Sequence, residues 1–404
     1  MKTNFGHLTY CTNIHAGENW PDHFSALKRY FPVIKSNLSP TKPTGIGLRL
    51  SNIASLELSK QEELVLFKQW LQENDAYVFT INGFPYGGFH HTIVKDHVHA
   101  PDWTTTDRLE YTKRLFNILA ELLPDDIDGG VSTSPLSYRY WFPSDDALGL
   151  AKEIATNHIL EITEHLVDLG RSTGKTLHLD IEPEPDGILE TGKEFVEWYH
   201  NYLLDAGVKR IAAKYAVSHD EAEEMIKRHV CLCYDVCHFA IGYEPHAEII
   251  KHLAAERIKI GKIQVSAALK AAMADDEGTR FKVREAFASF NETTYLHQVI
   301  AHRKDGGLIR YRDLPEALND AENASVNEWR AHFHVPVFEK DFGLLESTRR
   351  DIVTVLDLQK SSPFTNHLEV ETYTWEVLSD VLKLPIDQSI IRELKWVADQ
   401  LASE

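Results

Sequence analysis

Short apolar runs alternate with helical segments along most of this chain, and this alternation restricts the possible folds more than any other feature of the sequence. Eight runs have the length and composition of β-strands: residues 7–13, 45–50, 77–82, 130–134, 176–182, 230–235, 260–266 and 366–372. Their composition is too apolar on both faces for an exposed sheet, which favours a parallel sheet covered by helices. Eight such units predict an α/β fold, a (β/α)8 TIM barrel.

The alternation breaks between the seventh and eighth predicted strands. Residues 267–345 contain a charged helical segment, a hairpin signal at Asp305-Gly306-Gly307 and a short extra strand predicted at 331–337. We interpret this stretch as an insertion that covers the mouth of the barrel. The whole chain, 1–404, is then predicted to be one domain, which ends in two helices over 375–384 and 390–401.

Two helix starts carry the spacing of a capping box, in which a Ser and a Glu three residues later bond to each other's backbone. Ser59 and Glu62 predict a helix that continues to about residue 72. Ser218 and Glu221 predict another helix ahead of the sixth strand.

The composition excludes several classes of protein. The net charge of -19, from 42 basic and 61 acidic residues, argues against nucleic-acid binding and against binding to an anionic membrane. The N-terminus lacks an apolar run of signal length, and no run approaches the 18 apolar residues of a membrane span. We therefore expect a soluble cytoplasmic protein without membrane insertion.

The four cysteines do not form a disulfide framework for a chain of this size. Three of them, Cys231, Cys233 and Cys237, lie in or directly after one predicted strand. Zinc ligation by Cys231 and Cys233 is an alternative to core packing, but their position within an apolar strand favours packing.

The sixth predicted strand ends in Asp235, and His238 follows three residues later. A strand cannot cheaply bury an unpaired carboxylate, so an Asp at its end is hydrogen-bonded, caps the next turn or binds a metal. In a parallel barrel the carboxyl ends of the strands share one rim, where active sites lie.

Other strands end in the same way, with Glu182 after the fifth, Gln264 on the seventh and Glu371 after the eighth. Three carboxylates gathered at one rim with an amide and the imidazole of His238 would be poorly tolerated without a cation, because like charges repel in a partly dry mouth. We therefore predict a divalent metal site, and oxygen and imidazole ligands suit Zn, Mn, Co or Mg.

Further polar residues could either bind a metal or have a structural role. His332 and His334 point the same way on an extended segment and are predicted to add metal ligands, the alternative being a solvated strand face. Glu369 lies deeper than Glu371 and is expected to pair with a buried arginine or histidine. His178 and Asp180 favour an internal polar network over metal binding.

Two loops after predicted strands combine aromatic and polar residues, as substrate-binding loops do. The first follows Asn82 and contains Phe84 and Tyr86; the second, PLSYRYWF, contains Arg139. We predict that Asn82, Phe84, Tyr86 and Arg139 bind substrate.

Four motifs resemble the xylose isomerase-like (AP endonuclease family 2) TIM barrels. They are Glu182 in LDIEPEPDG, Asp235-Val-Cys-His238 with Phe239 and Gly242, KIQVS around Gln264, and Glu371 in LEVETYT. The resemblance implies one to three divalent metals bound by a Glu, an Asp with a His three residues on, a His and a Glu. Gln264 stands where that family has its third-strand histidine.

The segments HLTYCTNIHAGENW, TINGFPYGGFHH, HFHVPVF and LEVETYTW are more specifically similar to the EboE group of metabolite traffic proteins. This likeness implies a link to secondary-metabolite precursors and association with other products of the same gene cluster. It does not imply a particular reaction.

Three functions follow as hypotheses. The first is a metal-dependent isomerase or epimerase of a small polyhydroxylated or carbonyl compound, with Glu182 and Glu371 as both metal ligands and proton carriers. The second is a zinc-dependent phosphoesterase of the endonuclease IV type that uses His332 and His334. The third is a metabolite-binding protein without turnover.

Overall fold

The computed structural model describes residues 1–88, 94–372 and 384–402. Nearly all of the helix predicted over 375–384, and part of the loop that follows the third predicted strand, lie outside these residues.

Eight parallel strands form a barrel, in agreement with the predicted TIM-barrel fold. These strands are β2 (Gly6–Tyr10), β3 (Thr44–Arg49), β4 (Ala76–Asn82), β5 (Gly129–Thr133), β6 (Leu177–Ile181), β7 (Val230–Asp235), β8 (Ile260–Val265) and β15 (His367–Val370). They are hydrogen-bonded in the order β2-β15-β8-β7-β6-β5-β4-β3, and β1 (Lys2–Thr3) extends β2 as an antiparallel edge. Each predicted barrel strand is present, within a few residues of its predicted bounds.

The barrel closes between β2 and β3 through a backbone bridge and a hydroxyl group. Cys11 pairs with Gly47 as an isolated parallel bridge. The Thr9 hydroxyl donates to Gly45 O at 2.9 Å and accepts from Gly47 N at 3.0 Å. Only glycine fits at position 47, because a Cβ there would lie 1.9 Å from Glu369 Oε1.

Helices connect the strands of the barrel and of the segment that follows β8. They are α1 (Trp20–Leu38), α2 (Asn52–Leu58), α3 (Gln61–Glu73), α4 (Thr106–Leu122), α5 (Asp145–Thr173), α6 (Gly192–Trp198), α7 (Asp205–Tyr215), α8 (His219–His229), α9 (Val236–Ile241), α10 (His246–Ala255), α11 (Glu277–Ala288), α12 (Leu314–Asn319), α13 (Arg349–Ser361) and α14 (Ile386–Ala402), with a π-helical segment at Tyr199–Leu204. None of the helices in the described ranges is both long and apolar enough to cross a bilayer.

One of the two predicted capping boxes is present. Ser218 and Glu221 bond reciprocally at the start of α8, as predicted. The prediction of a capping box at Ser59 and Glu62 was wrong, because Ser59 ends α2 and its hydroxyl donates to Leu56 O at 2.9 Å. Lys60 takes the N-cap position of α3 without a side-chain hydrogen bond.

A six-stranded antiparallel sheet lies between β8 and β15 in the sequence. Its order is β11-β10-β12-β9-β14-β13, with β9 (Leu269–Ala272), β10 (Val299–Arg303), β11 (Leu308–Tyr311), β12 (Val326–Ala331), β13 (Asp341–Phe342) and β14 (Leu345–Ser347). The hairpin between β10 and β11 turns at Gly306, whose φ is +86°.

The prediction of an extra strand at 331–337 was wrong, because β12 already ends at Ala331. Residues 332–337 continue without a ladder of strand hydrogen bonds. His332 N instead bonds to Gln298 O at 2.8 Å, and Val335 N bonds to Ala267 O at 3.0 Å. Pro336 has no N–H to donate, so the segment cannot continue a ladder.

Helix α14 contributes a buried carboxyl group that links three parts of the chain. Glu393 is 2% exposed and accepts hydrogen bonds from Val337 N at 3.1 Å and from the Thr372 hydroxyl at 2.7 Å. Burial raises the pKa of Glu393 to about 8. At neutral pH the folded protein therefore holds this proton, whereas the unfolded chain releases it.

We expect this difference to make the free energy of unfolding fall by roughly 1 kcal/mol per pH unit as the pH rises from about 4.5 to about 8. Glu393→Gln keeps the side-chain shape but cannot titrate, so the variant should become more stable relative to the wild type across this range. Urea denaturation at acidic, neutral and alkaline pH measures the difference. A difference that does not change with pH would contradict the raised pKa.

Candidate metal centre

The carboxylates that follow three barrel strands converge at the carboxyl-terminal mouth. Glu182 follows β6, Asp235 ends β7 and Glu371 follows β15. All three are at most 5% exposed, and their carboxylate oxygens lie within 4.8 Å of one another. The strand register explains the convergence, because Asp235 pairs with Gln264 of β8, which pairs with Glu369 of β15.

Two of these buried carboxylates retain an oxygen without a hydrogen-bond partner among the described residues. These atoms are Glu182 Oε2 and Asp235 Oδ2. The other Asp235 oxygen accepts from the Ser266 hydroxyl at 2.7 Å and from His238 N at 3.2 Å. Buried, unpaired carboxylate oxygens are costly, and a divalent cation bound among these carboxylates would remove that cost.

The electrostatics of the protein alone oppose full ionisation of this cluster. Burial, together with the charges of Glu371 and Asp235, raises the pKa of Glu182 well above its ordinary value. Burial and the charge of Asp235 raise the pKa of Glu371 to about 8. The donor set fits a cation, because positive charge at this point would reverse both shifts.

Glu371 is held by three side-chain amides. Its Oε1 accepts from Asn13 Nδ2 at 2.7 Å and from Asn82 Nδ2 at 2.9 Å, and its Oε2 accepts from Gln264 Nε2. The amide oxygen of Gln264 faces Cys233 Sγ at 2.7 Å. The observed contacts of Gln264 are therefore those of a residue that orients a carboxylate, and its role as a metal ligand stays a prediction.

Three imidazoles meet beside the carboxylates, and hydrogen bonds determine their tautomers. His238 Nδ1 donates to Pro183 O at 3.0 Å, and His334 Nδ1 donates to Glu371 O at 3.2 Å, since carbonyl oxygens only accept. His332 Nδ1 donates to Gln298 Oε1 at 2.8 Å, because Gln298 Nε2 is directed at Pro185 O. In the neutral form, each ring then has an unprotonated Nε2.

The Nε2 atom of His332 lies close to the Nε2 atoms of both His238 and His334. The distance is 3.1 Å between His238 and His332 and 3.3 Å between His332 and His334. Burial lowers the pKa of His332 well below its ordinary value and that of His334 to about 4, so both rings are neutral, the form that binds metals. Two nitrogens bound to one tetrahedral zinc would lie about 3.3–3.4 Å apart, so this spacing suits a metal.

The four residues predicted to bind substrate differ in position. Phe84 and Asn82 line the cleft above the carboxylates, although the Asn82 amide is already bonded to Glu371 and to Phe84 N. Tyr86 packs edge-on against Tyr111, 5.0 Å between ring centroids. Arg139 forms ion pairs with Glu190 and Glu194. Tyr86 and Arg139 do not line this cleft, and their role in binding stays a prediction.

The sequence also predicted partners for two buried polar residues, Glu369 and His178. Glu369 pairs with Lys262 at 2.5 Å, not with an arginine or histidine. His178 donates to Asp180 at 2.6 Å, in the internal polar network that we expected.

Sequence reasoning missed several residues that support the centre. They include Asn13, Ser266 and Gln298. Asn13 follows β2 as the other polar residues follow their strands, so the same rule would have selected it. Gln298 lies next to β10, far from any barrel strand in sequence, and no local signal identifies it.

No protein-family model and no curated protein matches this chain. Among solved structures, it is similar to a xylose isomerase-like TIM barrel protein from Mycobacterium smegmatis in complex with magnesium, at 11% identity and a TM-score of 0.50 over 99% of this chain and 98% of that chain. A D-tagatose 3-epimerase-like protein is 10% identical with a TM-score of 0.49, over 98% of this chain and 100% of that chain. An IOLI protein with a binding zinc atom is 12% identical with a TM-score of 0.48, over 98% of each chain.

Identities this low bear on the fold alone. The parallel eight-stranded barrel and the likeness to the Mycobacterium smegmatis protein agree on that fold. The chain is a TIM-barrel protein.

Proposed function

We propose that this protein is a metal-dependent isomerase or epimerase that acts on a small carbonyl or hydroxy compound. The observation that carries the proposal is the group of three buried carboxylates, two of which retain an oxygen without a partner in the described part of the chain. Glu182, Asp235 and Glu371 would hold the cation, with His238 or His334 as a nitrogen ligand. A bound divalent cation supplies Lewis-acid stabilisation of negative charge that develops on substrate oxygen.

In this proposal, two of the carboxylates move protons. Glu182 and Glu371 reach the cleft from β6 and β15, which are separated by β7 and β8. One carboxylate would remove the proton from the carbon beside the carbonyl, and the other carboxyl would return a proton to the product. The amides of Asn13, Asn82 and Gln264 orient Glu371 for this role.

Deuterium exchange tests this function. The protein is incubated with a panel of ketoses, aldoses and smaller hydroxy ketones in heavy water with Mn, Co or Mg. We expect deuterium at the carbon beside the carbonyl of at least one compound, together with its isomer. Turnover no higher than that of a Glu182→Gln variant, for every compound and metal, would contradict the proposal.

The imidazole cluster favours a second candidate, a zinc-dependent phosphoesterase. His238, His332 and His334 direct unprotonated Nε2 atoms at one another beside the carboxylates, an arrangement that suits an additional zinc. Elemental analysis separates the two candidates. Two or three zinc ions per chain, and their reduction by one in a His332→Gln variant, would favour the phosphoesterase; a single labile Mn or Mg would favour the isomerase.

The likeness to the EboE group supports a third role, binding of a secondary-metabolite precursor without turnover. Association with products of the same gene cluster and a cytoplasmic location belong to this proposal. A cellular phenotype that survives Glu182→Gln but is lost on substitution of Phe84 would favour binding over catalysis.

A further inference from the structure

The cleft above the metal centre has a polar floor and largely apolar walls. The floor is formed by Glu182, Glu371 and the cluster of His238, His332 and His334. The described wall residues that present apolar side chains come from the segments after β4 and from the insertion: Phe84, Pro85, Val94, Val98 and Leu296. The cleft has an internal volume of about 70 Å³ and continues into open solvent, which suits a compact ligand.

The polar side chains of the same walls already bond to protein. Lys95 Nζ pairs with Asp313 at 2.7 Å, and His99 Nε2 pairs with Glu184 at 2.7 Å. Gln298 uses its amide nitrogen on Pro185 O and its amide oxygen on His332.

Asn82, the remaining wall amide, is used at both ends as well, on Glu371 and on Phe84 N. His99 Nδ1 is a buried polar atom of the wall without a partner among the described residues. It can make one hydrogen bond to a ligand.

This distribution of polar and apolar side chains determines which kind of ligand gains free energy by entering the cleft. A polyhydroxylated body would give up its hydrogen bonds to water and find few new ones on the described part of these walls. An apolar body loses little and gains the free energy of leaving water, about 0.8 kcal/mol for each buried CH₂. The wall residues that the structure describes therefore favour an apolar body over a sugar-like one.

We propose that the substrate has two adjacent oxygens at one end, which the metal centre binds, and a compact apolar body, aliphatic or aromatic, that packs against Phe84, Val94, Val98 and Leu296. The inference rests on the proposed metal-dependent function and specifies its substrate class. Because Leu296 belongs to the insertion, part of this selectivity comes from outside the eight βα units.

Hydroxamates test the proposal, because their two oxygens chelate metals while the rest of the molecule varies. Acetohydroxamate, benzohydroxamate and a polyhydroxylated four-carbon hydroxamate are titrated into the full-length Mn-loaded protein by calorimetry, and the metal content is checked afterwards. We expect benzohydroxamate to bind about 10- to 100-fold more tightly than acetohydroxamate, and the polyhydroxylated compound to show no such gain.

A matched pair of variants locates the effect. Val98→Thr adds a hydroxyl at nearly constant shape and should reduce the benzohydroxamate preference, whereas Val65→Thr on the exposed side of α3 should leave it unchanged. Tighter binding of the polyhydroxylated compound, or equal binding of all three, would overturn the apolar-substrate proposal alone. If none of the three binds, the metal-dependent function fails and the substrate class fails with it.

Discussion

Replacing Glu182 with Gln is expected to lower kcat by about 10²- to 10⁴-fold, the usual contribution of a general acid or base. The variant keeps the side-chain shape but loses a negative charge among the three carboxylates and, with it, the proposed proton carrier. Glu182 is buried and its Oε2 has no partner in the described part of the chain, so no neighbouring protein group stands in for it. The decrease is measured as product formation, and as deuterium exchange, at saturating metal.

Glu393→Gln is the matched control, since it also converts a buried carboxyl group to an amide. Glu393 lies outside the cleft and bonds to Val337 N and Thr372. Its kcat should stay near that of the wild type at neutral pH. A fall in kcat of the same size in both variants would mean that the Glu182 effect is structural, and an unchanged kcat in Glu182→Gln would contradict its catalytic role.

Lys262→Met is expected to destabilise the folded protein by about 3–5 kcal/mol, the usual result of removing one partner from a buried ion pair. Lys262 and Glu369 are both 0% exposed inside the barrel, with Nζ and Oε2 2.5 Å apart. Burial opposes the charge of Lys262, but the charge and hydrogen bond of Glu369, together with Cys233 and Cys11, raise the pKa of the ammonium group. Without Lys262, the carboxylate of Glu369 stays buried next to Glu371.

The double variant Lys262→Met/Glu369→Met separates loss of the pair from loss of packing. Because both charges leave together, its free energy of unfolding should lie closer to that of the wild type than that of the single variant. Urea denaturation of the three proteins measures the difference. If the double variant is less stable than Lys262→Met alone, packing and not charge pairing dominates this part of the core.

The barrel was predictable because its determinants are local. Each strand is an apolar run with a helix after it, and Glu182, Asp235 and Glu371 follow their strands directly in sequence. Parallel strands in one barrel bring such positions to a common rim, so the convergence of the carboxylates followed from fold and sequence position together.

The errors arose where nonlocal contacts decide the structure. His332 and His334 alternate with apolar residues as strand residues do. The backbone N–H of His332 bonds to Gln298 O, however, and the ring of His334 bonds to Glu371 O, so neither contact belongs to a strand ladder. Nonlocal contacts also determine the surroundings of Arg139, which pairs with Glu190 and Glu194, while its role in binding stays a prediction. No pattern in the sequence indicates which of several acidic residues an arginine will meet.

The central claim is that Glu182, Asp235 and Glu371 bind one divalent cation, and anomalous diffraction from crystals grown with Mn tests it most directly. We predict an anomalous peak within bonding distance of carboxylate oxygens from all three residues. An anomalous map that shows fully occupied Mn at other sites, but no peak among these carboxylates, would contradict the claim.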